Sequence, residues 1–112
     1  MSIPSTAENS TVLACDLTAI EMEQREQHIM ETKRLFSLVQ EARELPDGYA
    51  LRLPNDTDTI LSTAGFIVQE RKCCPFIHFA LELEAENGPL WLRLTGRDGV
   101  KPVLQAEFGE HL

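Results

Sequence analysis

The feature that most constrains the fold is an Asn-Gly pair, Asn87-Gly88, set between two segments of alternating leucines. Both central residues of a type I′ turn need positive φ, which Asn and Gly tolerate, so the pair predicts a two-residue hairpin loop. Over 76–84 the alternating residues are Ile77, Phe79, Leu81 and Leu83, and over 90–95 they are Leu90, Leu92 and Leu94. The pairs predicted to face one another are Leu83 with Leu92, Leu81 with Leu94, and Glu82 with Arg93. A one-residue slip would move every leucine to the other face, so we expect a firm register with Leu83 turned away from solvent.

Helical periodicity marks three further segments. The capping-box spacing of Thr18 and Glu21 predicts a helix that starts there and runs to about Arg43. A second helix is predicted from a cap at Asn55 or Thr57 to about Cys73, where Pro75 stops it. A third, short helix is predicted to open at Asp98 or Gly99.

A strand is predicted between the first two helices. Tyr49, Leu51 and Leu53 alternate with Ala50 and Arg52, directly after the turn sequence Leu45-Pro46-Asp47-Gly48. The resulting order is α-β-α-β-β-α, which predicts an α+β fold with a small mixed three-stranded sheet and helices on the leucine face. We expect residues 17–112 to form a single domain and the small, polar residues 1–16 to form a flexible N-terminal arm.

The sheet face opposite the leucines has no predicted helix to cover it. Its candidate interaction residues are Trp91, Phe76, Arg52 and Arg93. Tryptophan and arginine are favoured at interface hot spots, so this face predicts a homo-oligomer or a contact with a protein partner. The alternative is that Trp91 packs under the N-terminal arm.

Charge and hydropathy exclude some functions. The chain has 10 Lys and Arg against 18 Asp and Glu, a net charge of −8, which repels phosphate backbones and anionic lipid. We therefore expect no nucleic-acid binding, and salt-sensitive micromolar binding to random duplex DNA would contradict this. No apolar stretch has the length of a membrane span and no signal peptide is recognised, so we expect no membrane contact and a cytoplasmic location.

Three cysteines are the candidate chemical groups: Cys15, Cys73 and Cys74. An odd number with two adjacent is typical of reduced thiols rather than a disulfide framework. Together with His28 or His78 they could hold zinc or a softer thiophilic ion. Adjacent cysteines are expected to diverge, which disfavours zinc. The competing interpretation is one buried core cysteine and one incidental one.

His28 and the thiols also have alternative interpretations. His28 lies among acidic residues, where a solvated helix flank is the alternative to a metal ligand. A catalytic thiolate is disfavoured because the C-terminus of a helix carries partial negative charge. A non-catalytic role is therefore favoured.

Several segments of the chain resemble a family of uncharacterised small bacterial proteins. They are Glu70-Arg71-Lys72-Cys73-Cys74-Pro75-Phe76, the segment 88–96 with Gly99-Val100-Lys101, Cys15-Asp16-Leu17-Thr18 and the segment 45–49. The resemblance covers most of the chain. It implies a bacterial stand-alone domain and no particular reaction, ligand or site.

Three hypotheses follow from the sequence. The first is a small thiol-containing domain that binds a soft metal ion through Cys15, Cys73 and Cys74. The second is a dimeric or regulatory interaction module that uses the face around Trp91, and the third is a thiol redox protein. The metal content of protein purified under reducing conditions separates the first from the second.

Overall fold

The structure is a computed structural model that describes residues 13–112. The elements are a 3₁₀ turn (Leu17–Ala19), α1 (Met22–Phe36), β1 (Glu41–Leu45), β2 (Gly48–Leu53), α2 (Thr57–Cys73), β3 (His78–Leu83), β4 (Leu90–Thr95), α3 (Val100–Phe108) and a 3₁₀ turn (Gly109–His111). The fold is α+β, a single globule with three α-helices and one sheet in the described residues. Of the predicted N-terminal arm, residues 1–12 lie outside the described part of the chain.

The sheet has four strands, in the order β1-β2-β4-β3, and every neighbouring pair is antiparallel. The prediction of a mixed three-stranded sheet is therefore wrong. The first helix ends at Phe36 rather than Arg43, and residues 41–45 form β1, which pairs with β2. The turn predicted at Pro46-Asp47 joins these two strands as a hairpin. Because β2 pairs with β4 and not with β3, no parallel pair arises.

The hairpin of β3 and β4 has the predicted faces but a different register. Leu81 pairs with Leu92 and Leu83 with Leu90, two residues from the predicted partners. The residues of positive φ are Glu86 and Asn87, one position earlier than predicted, and the Gly88 N–H donates to the Ala85 carbonyl. Moving the turn by one residue shifts the pairing by two, which preserves the alternation of faces.

The edge position of β3 decides the exposure of its leucines. Leu83 is 50% exposed, so the expectation that it is turned away from solvent is wrong. It lies on the leucine face, but β3 has a neighbour on one side only. Arg93 is directly opposite Ala80, and its Nη1 reaches Glu82 Oε1 at 2.7 Å as a diagonal neighbour.

The helix starts are set by aspartates. The Asp16 carboxylate accepts from the Thr18 backbone N–H at 3.0 Å and caps the first 3₁₀ turn, so α1 begins at Met22 and not at Thr18. Asp56, between the two predicted caps, accepts from the Thr59 N–H at 2.9 Å and starts α2. The predicted end of α2 at Cys73 and the start of α3 after Gly99 are confirmed.

The core lies between the leucine face of the sheet and the helices. Its fully buried leucines are Leu35, Leu51, Leu53, Leu90, Leu92, Leu94 and Leu104. An aromatic cluster joins the helices: the Phe36 and Phe108 rings stack at 4.7 Å, and Phe66 meets both rings edge-on. This packing holds α1 beside α2, which brings the middle of α1 to the C-terminal end of α2.

The opposite sheet face is covered by charged side chains. Trp91 is only 4% exposed: the Arg43 guanidinium lies 4.6 Å above its ring, and its Nε1 donates to Glu84 at 2.6 Å. The expectation of an open tryptophan is thus wrong, because β1 supplies Arg43 where no strand was predicted.

The other three residues named for an interaction surface differ in their surroundings. Arg93 pairs with Glu82, Arg52 Nε lies 3.5 Å from a Glu41 oxygen, and Phe76 packs against the core. An interaction surface on this face stays a prediction, which the mass of the protein in solution tests.

Candidate thiol site

The two adjacent cysteines lie where α2 ends. Cys73 is the last helical residue, and Cys74 leaves the helix with φ −127° and ψ 67° while its N–H donates to the Glu70 carbonyl. This change of backbone direction turns both sulfurs the same way, and the two Sγ atoms are 3.7 Å apart. The expectation that adjacent cysteines diverge does not hold at a helix end of this kind.

Cys15 folds back onto the same point and forms a disulfide with Cys74. The Asp16 N–H donates to the Cys73 carbonyl at 2.7 Å, which fixes the segment before the first 3₁₀ turn against the end of α2. The expectation of three reduced thiols is therefore corrected: Cys73 is the one free cysteine, and it is buried.

A carboxylate that the sequence reasoning missed lies at the centre of the site. Glu70 is 5% exposed; its Oε1 is 2.7 Å from His28 Nε2 and accepts from the Cys73 thiol at 3.6 Å. Its Oε2 lies 3.3 Å from Cys74 Sγ. The spacing gave a signal, because Glu70 lies three residues before Cys73 and four before Cys74, and residues three or four apart share one face of a helix.

His28 is buried, with 7% of its surface exposed, against Glu70 and beside the Phe66 ring. The solvated interpretation of this residue is wrong. His78, the other predicted donor, is exposed at the start of β3, opposite Thr95. It does not belong to either cluster of possible metal ligands found in residues 13–112.

The surroundings keep the free thiol protonated. The pKa of Cys73 is raised to about 12, first by burial, then by the charge of Glu70 and the hydrogen bond to it, and further by the charge of Glu107. A thiol in this state is a poor nucleophile near neutral pH. The sequence predicted this direction from the helix dipole, whereas the larger causes are burial and a carboxylate.

Two overlapping sets of donor atoms could hold a metal ion: Cys15, Glu70 and Cys74, and His28, Glu70 and Cys73. Within each set the ligand atoms lie within 4.8 Å of one another. All of these residues except Cys74 line a cavity of about 330 Å³ between α1, the end of α2 and α3. Lys33 and Glu107 lie in the wall of this cavity.

Comparisons of the chain with protein-family models, with curated proteins and with solved structures find no match. Across residues 13–112, no helix has both the length and the apolar character needed to cross a membrane.

Proposed function

We propose that the reduced protein binds one soft metal ion through the thiolates of Cys15, Cys73 and Cys74. The observation that carries this proposal is that the Cys74 sulfur neighbours the sulfurs of both Cys15 and Cys73, which come from two distant segments of the chain. Cys15 Sγ is bonded to Cys74 Sγ, which lies 3.7 Å from Cys73 Sγ. Two thiolates on one tetrahedral ion, each at ~2.3 Å, are about 3.8 Å apart. The separation of Cys73 and Cys74 is thus already that of two ligands on one ion.

The surroundings of the sulfurs also favour a soft ion. Cys73 and Cys74 are at most 4% exposed, so bound thiolates would be shielded from water and from oxidants. Thiolates select ions such as Cu(I), Zn(II) or the softer Cd(II) over Mg(II) and Ca(II), which prefer oxygen ligands. In this account the Cys15–Cys74 disulfide is the oxidised form, and a dithiol reductant opens it before the ion binds.

The test is a titration of reduced protein with Cd(II) under anaerobic conditions, followed by Tm and by bound ion per chain. We expect one equivalent, a raised Tm by the linkage between binding and folding, and no effect of Mg(II) or Ca(II). Cys15→Ser should abolish the gain in Tm. His78→Ala, at the exposed histidine outside the site, is the matched control and should leave it unchanged. Equal stabilisation in the Cys73→Ser/Cys74→Ser double variant, or none in wild type, would contradict the proposal.

The disulfide itself favours a second candidate, a thiol redox protein. An external dithiol thiolate would attack Cys15 Sγ, which is half-buried, and the electron pair of the S–S bond would leave on the fully buried Cys74. The second thiol of the dithiol would then release Cys15, so the dithiol is oxidised and two protein thiols form. Catalysis of dithiol–disulfide exchange by the metal-free protein would favour this candidate, and a Cys15–Cys74 reduction potential below about −300 mV would indicate a structural bond.

A further inference from the structure

A second set of donors is left intact when the disulfide is formed. Cys15 and Cys74 are then tied to each other, but His28 on α1 and Glu70 and Cys73 on α2 keep their ligand atoms within 4.8 Å of one another. We propose that the disulfide-bonded protein binds a borderline divalent ion, Zn(II) or Co(II), through His28, Glu70 and Cys73. This inference does not rest on the three-thiolate site, because it concerns the other redox form.

The distances are close to those of a tetrahedral centre. With Zn–S ~2.3 Å and Zn–O ~2.1 Å, the sulfur and oxygen ligands of one ion lie about 3.6 Å apart. Cys73 Sγ and Glu70 Oε1 are 3.6 Å apart. His28 Nε2 and the same Oε1 are 2.7 Å apart, a hydrogen-bond distance, whereas two ligands on one ion need about 3.4 Å. Binding therefore requires the ion to replace the proton between these two atoms and to separate them by a fraction of an ångström. It also displaces the proton of the Cys73 thiol, and both protons leave to solvent, so binding should weaken as the pH falls.

The chemistry of the set selects a different class of ion from the three thiolates. One imidazole, one carboxylate and one thiolate suit Zn(II) and Co(II), whereas three thiolates suit softer ions. The charges of a divalent ion, the Glu70 carboxylate and the Cys73 thiolate sum to zero, which suits a buried position. Since Cys73 is a ligand both in this set and in the proposed three-thiolate site, the oxidation state of Cys15 and Cys74 would decide which ion the protein prefers.

Three protein ligands leave one position on a tetrahedral ion for an exchangeable ligand. The 330 Å³ cavity is lined by all three residues and so provides room for a water molecule or a small anion. Thr32 lines the same cavity one helical turn after His28, and its buried Oγ1 has no hydrogen-bond partner among the described residues. A water molecule or small anion in the cavity is therefore a candidate partner for this hydroxyl.

The test uses disulfide-bonded protein, without reductant, titrated with Co(II) alone. We expect one equivalent, the ligand-field absorption of a tetrahedral ion and a sulfur-to-cobalt charge-transfer band. Cys73→Ser keeps the disulfide and should remove that band. His28→Ala should weaken binding more than the roughly 10–100-fold cost of losing a second-shell partner, and His78→Ala should not change it.

Each outcome bears on one redox form. Absence of Co(II) binding to the oxidised wild type, or an unchanged charge-transfer band in Cys73→Ser, would overturn the inference and leave the three-thiolate proposal standing. If the reduced protein does not bind Cd(II) but the oxidised protein binds Co(II), the three-thiolate proposal fails and this inference stands. Because His28→Ala leaves a buried carboxylate without its partner, the Tm of each variant is measured first, and Cys73→Ser decides if His28→Ala does not fold.

Discussion

Glu70 is the residue on which the chemistry of the site depends most. It contacts His28, the Cys73 thiol and the sulfur of Cys74 from a nearly fully buried position. After burial, its charge is the largest cause of the raised pKa of Cys73. The same carboxylate therefore suppresses thiol reactivity in the free protein and offers an oxygen ligand to an ion.

Replacing Glu70 by Gln should make the Cys73 thiol more acidic. The charge of Glu70 and the hydrogen bond to it both raise the pKa of Cys73, so removing the charge moves the pKa down from about 12. The pH–rate profile of iodoacetamide alkylation, measured on disulfide-bonded protein with a chelator present, should shift to lower pH. Glu107→Gln, which removes the smaller of the two charge effects, should shift the profile less. An unchanged profile in Glu70→Gln would contradict the role given to the Glu70 charge.

At the scale of elements, two glycines differ in whether their surroundings leave space for a side chain. A Cβ at Gly48 would overlap the Leu94 carbonyl oxygen where β2 pairs with β4, whereas a Cβ at Gly65 in α2 would meet no atom within 4 Å. Gly48→Ala should therefore lower the free energy of unfolding by ~1–3 kcal/mol or more, the range for overpacking. Gly65→Ala should raise it by up to ~1 kcal/mol, since alanine favours the helix. Chemical denaturation measures both, and equal effects would contradict the described packing of β2 against β4.

The elements also show where sequence patterns are informative. Alternation predicts β2, β3 and β4 because one face of each carries apolar side chains. It misses β1, whose residues Glu41–Leu45 include good helix formers and face mostly solvent, so that pairing with β2 stabilises this strand. The register fails for a local reason: positive φ falls on Glu86 and Asn87 rather than on Asn87 and Gly88.

Only part of the site could be predicted, because some of its residues carry a local sequence signal and others do not. The three cysteines could be identified from their chemistry and their adjacency. His28 and Glu70, however, are 42 residues apart, and only the packing of α1 on α2 brings them together. A histidine among acidic residues on a helix has no local signal of burial, because burial is decided by the partner helix.

At the scale of the whole molecule, the disulfide closes a large loop. Cys15 and Cys74 are 59 residues apart, and a cross-link of that length contributes ~4 kcal/mol in the chain-entropy model. Reduction in the presence of a chelator should lower the free energy of unfolding by an amount of this order, measured by denaturant titration. Cys15→Ser should be as unstable as the reduced wild type and insensitive to reductant. A reductant effect of the same size in Cys15→Ser would show that another bond is responsible.

The central claim is that three thiolates from two distant segments meet on one ion. The most direct measurement is X-ray absorption at the cadmium edge on reduced protein loaded with one equivalent of Cd(II). The account predicts a first shell with three sulfur neighbours in wild type and with two in Cys15→Ser. A first shell of oxygen and nitrogen alone, or the same number of sulfurs in both proteins, would contradict it.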